Sequence, residues 1–362
     1  MAVRVKGIYA KVMYADKDIT AQLAPFLEKL EYTDNLDGDS ADKLTITLDD
    51  SQGLFSGPLY PVKGSALYFE FGYDTSDVFK SGKGFLINSI KIDGGGVSAT
   101  NGSGSRLVGT VVLTASANLP GKGIHSKVTK AWTQTTLDAV AKDISQKHDI
   151  DLVFECDKKI SLTRLDQFDK SDLKLIRELT EKYGIFFSFK AGKEKTTMVI
   201  TDLDTLRSKP PTLKLSVGHC TSYTFNDSVP INPKGRYTRY FDPIKKELVE
   251  FDYKREKTTV KDNLTGATVE TPDGQGQQDR AIGREALEVY ARKDVPKDIA
   301  RTANITLPGN PSLLAGVVVE LPQDEWGYNA GLWVVTKSTH TMDVSAGYTS
   351  KLDLRKNDAS KQ

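Results

Sequence analysis

The sequence predicts an α+β fold that is mainly β, with two antiparallel β-units separated by an α/β module. Three observations carry this. One order of features occurs twice. Near the start it runs Val62-Lys63-Gly64, Leu67-Tyr68-Phe69-Glu70-Phe71, Gly84-Phe85-Leu86-Ile87 and Thr110-Val111-Val112-Leu113. Near the end it runs Leu314-Ala315-Gly316, Val317-Val318-Val319-Glu320-Leu321, Gly331-Leu332-Trp333-Val334-Val335 and Ser350-Lys351-Leu352-Asp353-Leu354. Either one unit is written twice, or two β-meanders share a generic pattern. Second, Leu44-Thr45-Ile46-Thr47-Leu48 alternates with the period of a half-buried strand. Third, the best-marked helical stripes fall between about residues 125 and 205.

Composition sets the frame. A chain of 362 residues is long for one domain. Apolar residues at 38% are enough for sizeable cores. With 49 basic against 48 acidic side chains, net charge is +1, which gives no global argument for nucleic acid or an anionic membrane. Cys156 and Cys220 stand alone, so neither a disulfide framework nor a metal signature is written in the chain. This suits assembly in a reducing compartment. The start alternates apolar and basic residues like a strand, and no window has the apolar length of a spanning helix.

Residues 1–118 form the first β-unit. Asp49 to Gly53 supply turn formers. The Gly/Ser-rich stretch from Gly94 to Ser105 reads as a long, mobile hairpin tip that includes Gly94, Gly95, Asn101 and Gly102. Residues 119–205 form the α/β module. Thr135 and Asp138 have capping-box spacing, and Leu137, Val140, Ala141 and Ile144 share one helical face. Leu152-Val153-Phe154 reads as a strand. For the next helix Asp169 or Ser171 is the cap, and Asp172 suits the positive end of the dipole. Leu173, Ile176, Leu179 and Tyr183 are its stripe, and Gly184 closes it. Ile185 to Phe189 and Thr197 to Ile200 form a hairpin. The second β-unit takes residues 206–229 plus 295–355. Between its parts, 230–294 is an insertion with a polar hairpin or loop and a helix from about Arg280 to Arg292. Residues 356–362 form a flexible tail.

The search for chemistry is nearly empty. His125, His148, His219 and His340 lack metalloprotease spacing, and His219 and Cys220, as strand neighbours, point apart. No nucleophile elbow, phosphate loop or dinucleotide fingerprint is present. The sequence therefore predicts no catalytic residue, no metal and no cofactor. Glu70 and Glu320 each interrupt an apolar strand. They line a polar lumen, pair across a subunit interface, or take the solvent face of a half-buried strand. Trp326 and Tyr328 lie in the turn between the last strands, where aromatics anchor protein interfaces. Trp333, inside a strand, reads as core.

Three blocks carry a resemblance: Trp132 to Leu137, Leu165 to Gly184, and Leu307-Pro308-Gly309-Asn310-Pro311-Ser312-Leu313-Leu314-Ala315-Gly316, which opens the last unit. Their order and spacing resemble the phage late control protein D family, the gp27-like hubs of contractile tails, tailocins and related injection systems. The region from about 230 to 280 matches poorly. The resemblance implies a non-enzymatic protein with two tail-tube-like antiparallel β-barrel domains per chain. It implies a homotrimeric ring in the baseplate of a virion or injection particle, assembled in the bacterial cytoplasm. One face would meet a sixfold tail tube or tube-initiator protein and the other a trimeric spike protein. The lumen would hold a tape measure protein or cargo, with no sequence-specific nucleic acid and no membrane insertion of its own. The alternatives are a tail-associated peptidoglycan hydrolase and a spike-fused secretion-type hub component. Two barrels per chain give the doubled unit a purpose, since three chains then present six positions.

Overall fold

The period-2 patterns form strands, and each buries one face. A computed structural model describes residues 3–5, 8–36, 41–73, 78–82, 84–98, 106–117, 122–156, 159–191, 195–227, 232–233, 235–242, 246–254, 259–261, 268–270, 273–274, 277–280 and 301–356. The first unit contains β1 (Ile8–Tyr14), β2 (Leu27–Asn35), β3 (Lys43–Asp49), β4 (Ala66–Gly72), β5 (Phe85–Ser98) and β6 (Arg106–Ala117). In β3, Leu44, Ile46 and Leu48 are fully buried and the residues between them are more exposed. They pack with Phe69, Phe71, Phe85 and Ile87 into one core.

The module contains β7 (Lys127–Thr136), α1 (Leu137–Lys147), β8 (Asp151–Glu155), β9 (Ser161–Ser171), α2 (Asp172–Tyr183), β10 (Phe186–Ala191), β11 (Thr196–Thr201) and α3 (Leu203–Ser208). Its helical stripes, Leu137, Val140, Ala141 and Ile144 on α1 and Leu173, Ile176, Leu179 and Tyr183 on α2, are buried in a separate core. Ser171 Oγ accepts Lys174 N–H, and Gly184 takes the left-handed cap at φ 67°. The first helix departs from its predicted cap. Thr135 belongs to β7, and the N-cap is Thr136, whose side chain makes no capping bond. The chain reaches this helix directly from β7, which pairs with β9 in a ribbon the sequence did not signal.

The second unit contains β12 (Ser222–Asn226), β13 (Arg301–Pro308), β14 (Val318–Leu321), α4 (Gln323–Trp326), β15 (Gly331–Asp343) and β16 (Gly347–Lys356). Trp333, Ile305, Val335, Leu352 and Leu354 fill its core. Its strand order, β14-β15-β16-β13-β12, repeats the first unit's β4-β5-β6-β3-β2, with every neighbouring pair antiparallel.

The repeat extends to register. Leu67 faces Phe85 as Val319 faces Trp333. Ile46 faces Leu113 as Ile305 faces Leu352. Both long hairpins slip by one residue at the same place, after Ile87 and after Val335. Gly64 and Gly316 enter their strands at φ 84° and 88°, where an L side chain is strained. Gly64 N–H donates to Ile87 O at 2.7 Å, and Gly316 N–H to Val335 O at 2.8 Å. One unit is written twice. The register corrects one equivalence, however. Ala66 faces Leu86 as Val318 faces Val334, so Glu320 corresponds to Tyr68, and Pro322 to Glu70.

The units share one sheet. β2 pairs antiparallel with β15, from Asn35 opposite Lys337 to Lys29 opposite Asp343. Among the described residues the pairings trace an open path from Val3–Val5 to β12 and close no barrel. The predicted hairpin tip is shorter than expected, because β5 continues through Gly94 and Gly95 to Ser98 and β6 resumes at Arg106. Asn101 and Gly102 lie outside the described residues, as do the helix expected after Arg280 and the tail from residue 357. Within the expected insertion, Gly235–Asp242 pairs with Glu247–Lys254, and Thr259–Lys261 with Thr268–Glu270.

Candidate functional site

The seam where both units and the module meet holds the densest buried polar chemistry in the described chain. The loop from Pro308 to Gly316 runs from β16 past β15 to the end of β2, bonded along its way. At Gly309 the backbone lies flat on the Tyr348 ring; a Cβ would stand 2.1 Å from it. Gly309 N–H donates to Tyr348 O at 2.9 Å, and Asn310 N–H to Ser350 Oγ at 2.9 Å. Leu313 O accepts from Ser338 Oγ at 2.6 Å and lies 3.1 Å from His340 Nε2. Ala315 N–H donates to Asp34 Oδ2 at 2.8 Å. The block that carries the family resemblance thus folds onto β15 and β16 of its own unit and reaches the first unit through the Ala315–Asp34 bond.

His340 sits at the centre of these contacts. Its Nδ1 is 2.9 Å from Tyr348 Oη and 3.0 Å from Ser350 Oγ, and its ring stacks near Tyr32. Burial pushes its pKa down to about 4, so the imidazole is neutral and serves as a packing group with two polar ends.

A buried ion cluster ties the module to the same seam. Lys190, on β10, donates to Asp34, to Asp42 Oδ1 at 2.9 Å and to Asn35 O at 2.6 Å. All three ammonium protons are therefore used. Asp42 also accepts from Asn35 N–H at 3.1 Å and Tyr32 Oη at 3.4 Å. Two acids share one base out of water. Burial, then the Asp34 charge, pushes the Asp42 carboxyl up to about 8 against the pull of Lys190. Lys190 shifts upward: burial opposes its charge, but the two carboxylates outweigh it. Of the groups in the cluster, Asp42 is the acid that burial and its neighbour's charge push toward the protonated form. Beside the cluster, Leu36, Phe186, Leu206, Val318 and Val334 form a small core with members from all three parts.

The residues singled out from sequence are scattered, not gathered into one site. Glu70 is buried on β4, where it accepts from Tyr68 Oη at 2.7 Å and Tyr9 Oη at 2.9 Å, with Lys80 at 3.7 Å. It does not take an open solvent face. Burial raises its pKa, but the Tyr68 and Tyr9 bonds and the Lys80 and Lys11 charges outweigh this and hold it low. Burial and the Glu70 bond push Tyr9 up to about 12. Glu320 is half-buried and pairs with Lys214 at 3.3 Å. Trp326 is 7% exposed; its indole N–H donates to Leu215 O at 2.7 Å and its ring meets Tyr223 and Phe225 edge-on. It is a core residue with little surface left for a partner, because the α4 turn folds it inward. Tyr328 remains 70% exposed beneath the Arg301 guanidinium, 3.9 Å from the ring centre. Gly94 is exposed on β5.

Sequence reading missed Asp34, Asp42 and Lys190, whose partners lie about 150 positions apart. One available signal was the lysine ending the apolar run Phe186-Phe187-Ser188-Phe189. It also missed Ile92 and Tyr223, about half exposed on strand edges, and the apolar loop Leu59, Tyr60 and Val62. That loop is held by Asp50, which accepts Phe55 N–H at 2.7 Å, and by Tyr14 Oη, which accepts Val62 N–H at 3.0 Å. Among the described residues no cluster of three His, Cys, Asp or Glu side chains could hold a metal, and no helix is long and apolar enough to cross a membrane.

A mainly β chain with two registered copies of one unit and a module between them has the form of a structural assembly protein. The phage tail baseplate hub family model matches residues 97–345, and the chain belongs to that family. It is a structural baseplate hub protein of a phage-type tail. A "Probable baseplate hub protein" of Escherichia phage 186 is 24% identical over 93% of this chain and 90% of its own length. A tail protein from Neisseria meningitidis MC58 shares the fold, with a TM-score of 0.65, 14% identity and 97% of each chain covered. The Escherichia coli c3393 protein, a type VI secretion system component described as similar to T4 tail proteins gp27 and gp5, superposes with a TM-score of 0.54. That match has 11% identity and covers 92% of this chain and 74% of that one.

Proposed function

We propose that three copies of the chain form a ring that adapts a sixfold tail tube to a threefold spike. The observation that carries this reading is the register-for-register repeat, which gives each chain two quasi-equivalent units. Three chains then display six similar β-surfaces to the tube while keeping only threefold symmetry for the spike. In this reading each unit completes a tail-tube-like barrel in the assembled ring. The parts are the first unit at 1–118, the module at 119–205, the second unit at 206–229 plus 295–355, and the insertion at 230–294. The lumen passes a tape measure protein or cargo, and assembly takes place in the bacterial cytoplasm. The hairpin between β5 and β6, with Gly94, Gly95, Asn101 and Gly102, docks the tube, and Tyr328 and Glu320 line a protein interface. The role is mechanical and needs no catalytic group.

The test is the native mass of the purified chain, followed by imaging of the particles. A trimer with six similar lobes is expected. A chain that stays monomeric with its cognate spike protein present overturns the ring. Deleting residues 99–105 should block tube attachment while leaving the chain folded; normal tails from that deletion overturn the docking role.

A further inference from the structure

Among the described residues, the two units are joined by one strand pairing, β2 of the first against β15 of the second. The repeat supplies a second, open version of the same pairing. The counterpart of β2 is β12, because Leu30 faces Ile46 as Tyr223 faces Ile305. The counterpart of β15 is β5, because Val335 faces Leu354 as Ile87 faces Ala115.

The edge of β15 is used along its length, first by β14 and then by β2 from Lys337 to Asp343. On β5, the equivalent edge meets β4 only at Phe85 and Leu86, and beyond them no described strand covers it. Among the described strands β12 is likewise paired by β13 alone and ends the sheet path. Both edges present backbone N–H and C=O groups that an added strand would satisfy.

We propose that β12 of one chain pairs antiparallel with β5 of a second copy, in the register that β2 and β15 already use. Transferring that register sets Lys91 opposite Asn226, Ile92 opposite Phe225, Asp93 opposite Thr224 and Gly94 opposite Tyr223 of the neighbouring copy. This inference rests on the ring reading and names the strands that close it.

Side chains fit the transferred register. His340 and Leu30, in the closed joint, are fully buried. Their counterparts Ile92 and Tyr223 are 46% and 50% exposed, one on each open edge, and the new joint would cover both. Leu30 packs opposite Met342. In the open joint the larger Tyr223 falls opposite Gly94, which has nothing within 4 Å of where a Cβ would stand, so the ring has room to lie across it. The joint is heterologous, with different strands given and received, and repeating it closes a ring when its rotation is a whole fraction of a turn.

The experiment uses the full chain with Cys156→Ser and Cys220→Ser. Cysteines at Asp93→Cys and Thr224→Cys stand at directly opposed positions of the proposed ladder, within disulfide reach. Oxidation should give a disulfide-linked ladder ending at the closed ring. Lys91→Cys with Thr224→Cys, shifted by two residues, should lose that ladder. Glu31→Cys with Thr341→Cys, opposed within the chain, should cross-link without raising the mass and so reports a folded protein. A second variant, Ile92→Lys, should lose the ring while keeping its circular dichroism spectrum. A ring by native mass that gives no ladder from the 93/224 pair, or equal ladders from both pairs, overturns this joint and leaves the ring reading standing. A strict monomer with the spike protein present overturns both.

Discussion

The two β-units have the same backbone ladder but different neighbours, and that difference is informative. In the first unit β2 is covered by β15, and its inward side chains, Leu30 and Tyr32, are buried. In the second unit no described strand gives β12 such cover, and Tyr223 stands half in solvent. The same contrast separates β15 from β5: Ser338, His340 and Met342 are buried, whereas Ile92 and Gly94 are exposed. Register is fixed by the shared hairpin, bulge and glycine entry. Side-chain identity follows what lies across the edge, which is why sequence similarity between the copies faded while backbone geometry did not.

The comparison can be broken at several points. The largest effect is expected at the seam. Lys190→Met leaves the buried Asp34–Asp42 pair without its cation and should cost about 3–5 kcal/mol in urea unfolding. A loss below about 1 kcal/mol would mean that the cluster does not hold the module. Trp333→Ala and Phe85→Ala remove equivalent, fully buried rings and should each cost about 3–5 kcal/mol. A large gap between them would restrict the equivalence to the backbone. Gly309→Ala drives a Cβ into the Tyr348 ring and should cost about 1–3 kcal/mol, whereas Gly94→Ala, on an open edge, should be near neutral in the isolated chain. Gly64→Ala and Gly316→Ala put an L side chain at positive φ and should lose matching amounts, about 1–2 kcal/mol each.

The finest test is a pH slope. Asp42 has its folded pKa raised from 3.8 to about 8, so its contribution is complete below about pH 4 and is lost as pH rises to about 8. His340 has its folded pKa lowered from 6.5 to about 4, so its contribution is complete above 6.5 and is lost as pH falls toward 4. Between pH 6.5 and 8 the Asp42 decline stands by itself, at most about 1.4 kcal/mol per pH unit for one proton. Asp42→Asn should flatten the urea midpoint across that window. An unchanged slope would remove Asp42 as its source.

Much of this architecture was legible. The doubled strand order, the burial of Trp333 and the stripes of α1 and α2 follow from periodicity, and Ser171 and Gly184 from cap chemistry. The β7–β9 ribbon was not legible, because most of β7 is exposed and lacks the alternation that marks a half-buried strand. Trp326 looked like an interface anchor because its neighbours are turn formers; a short helix turns it inward instead. Glu70 and Glu320 looked equivalent because counting along a strand cannot see where the register starts. The edges of β5 and β12 carried no sequence signal, since whether an edge is covered depends on the rest of the sheet.

By itself, the sequence determined the local elements and their repetition, because strand period, helical stripe and left-handed glycine are properties of a few adjacent residues. Only the tertiary structure decided that β2 joins β15, that Asp34, Asp42 and Lys190 share one buried cluster, and which edge of each copy stays open. Those outcomes depend on pairings between residues far apart in the chain, where hydrogen bonding and burial are settled by the whole sheet.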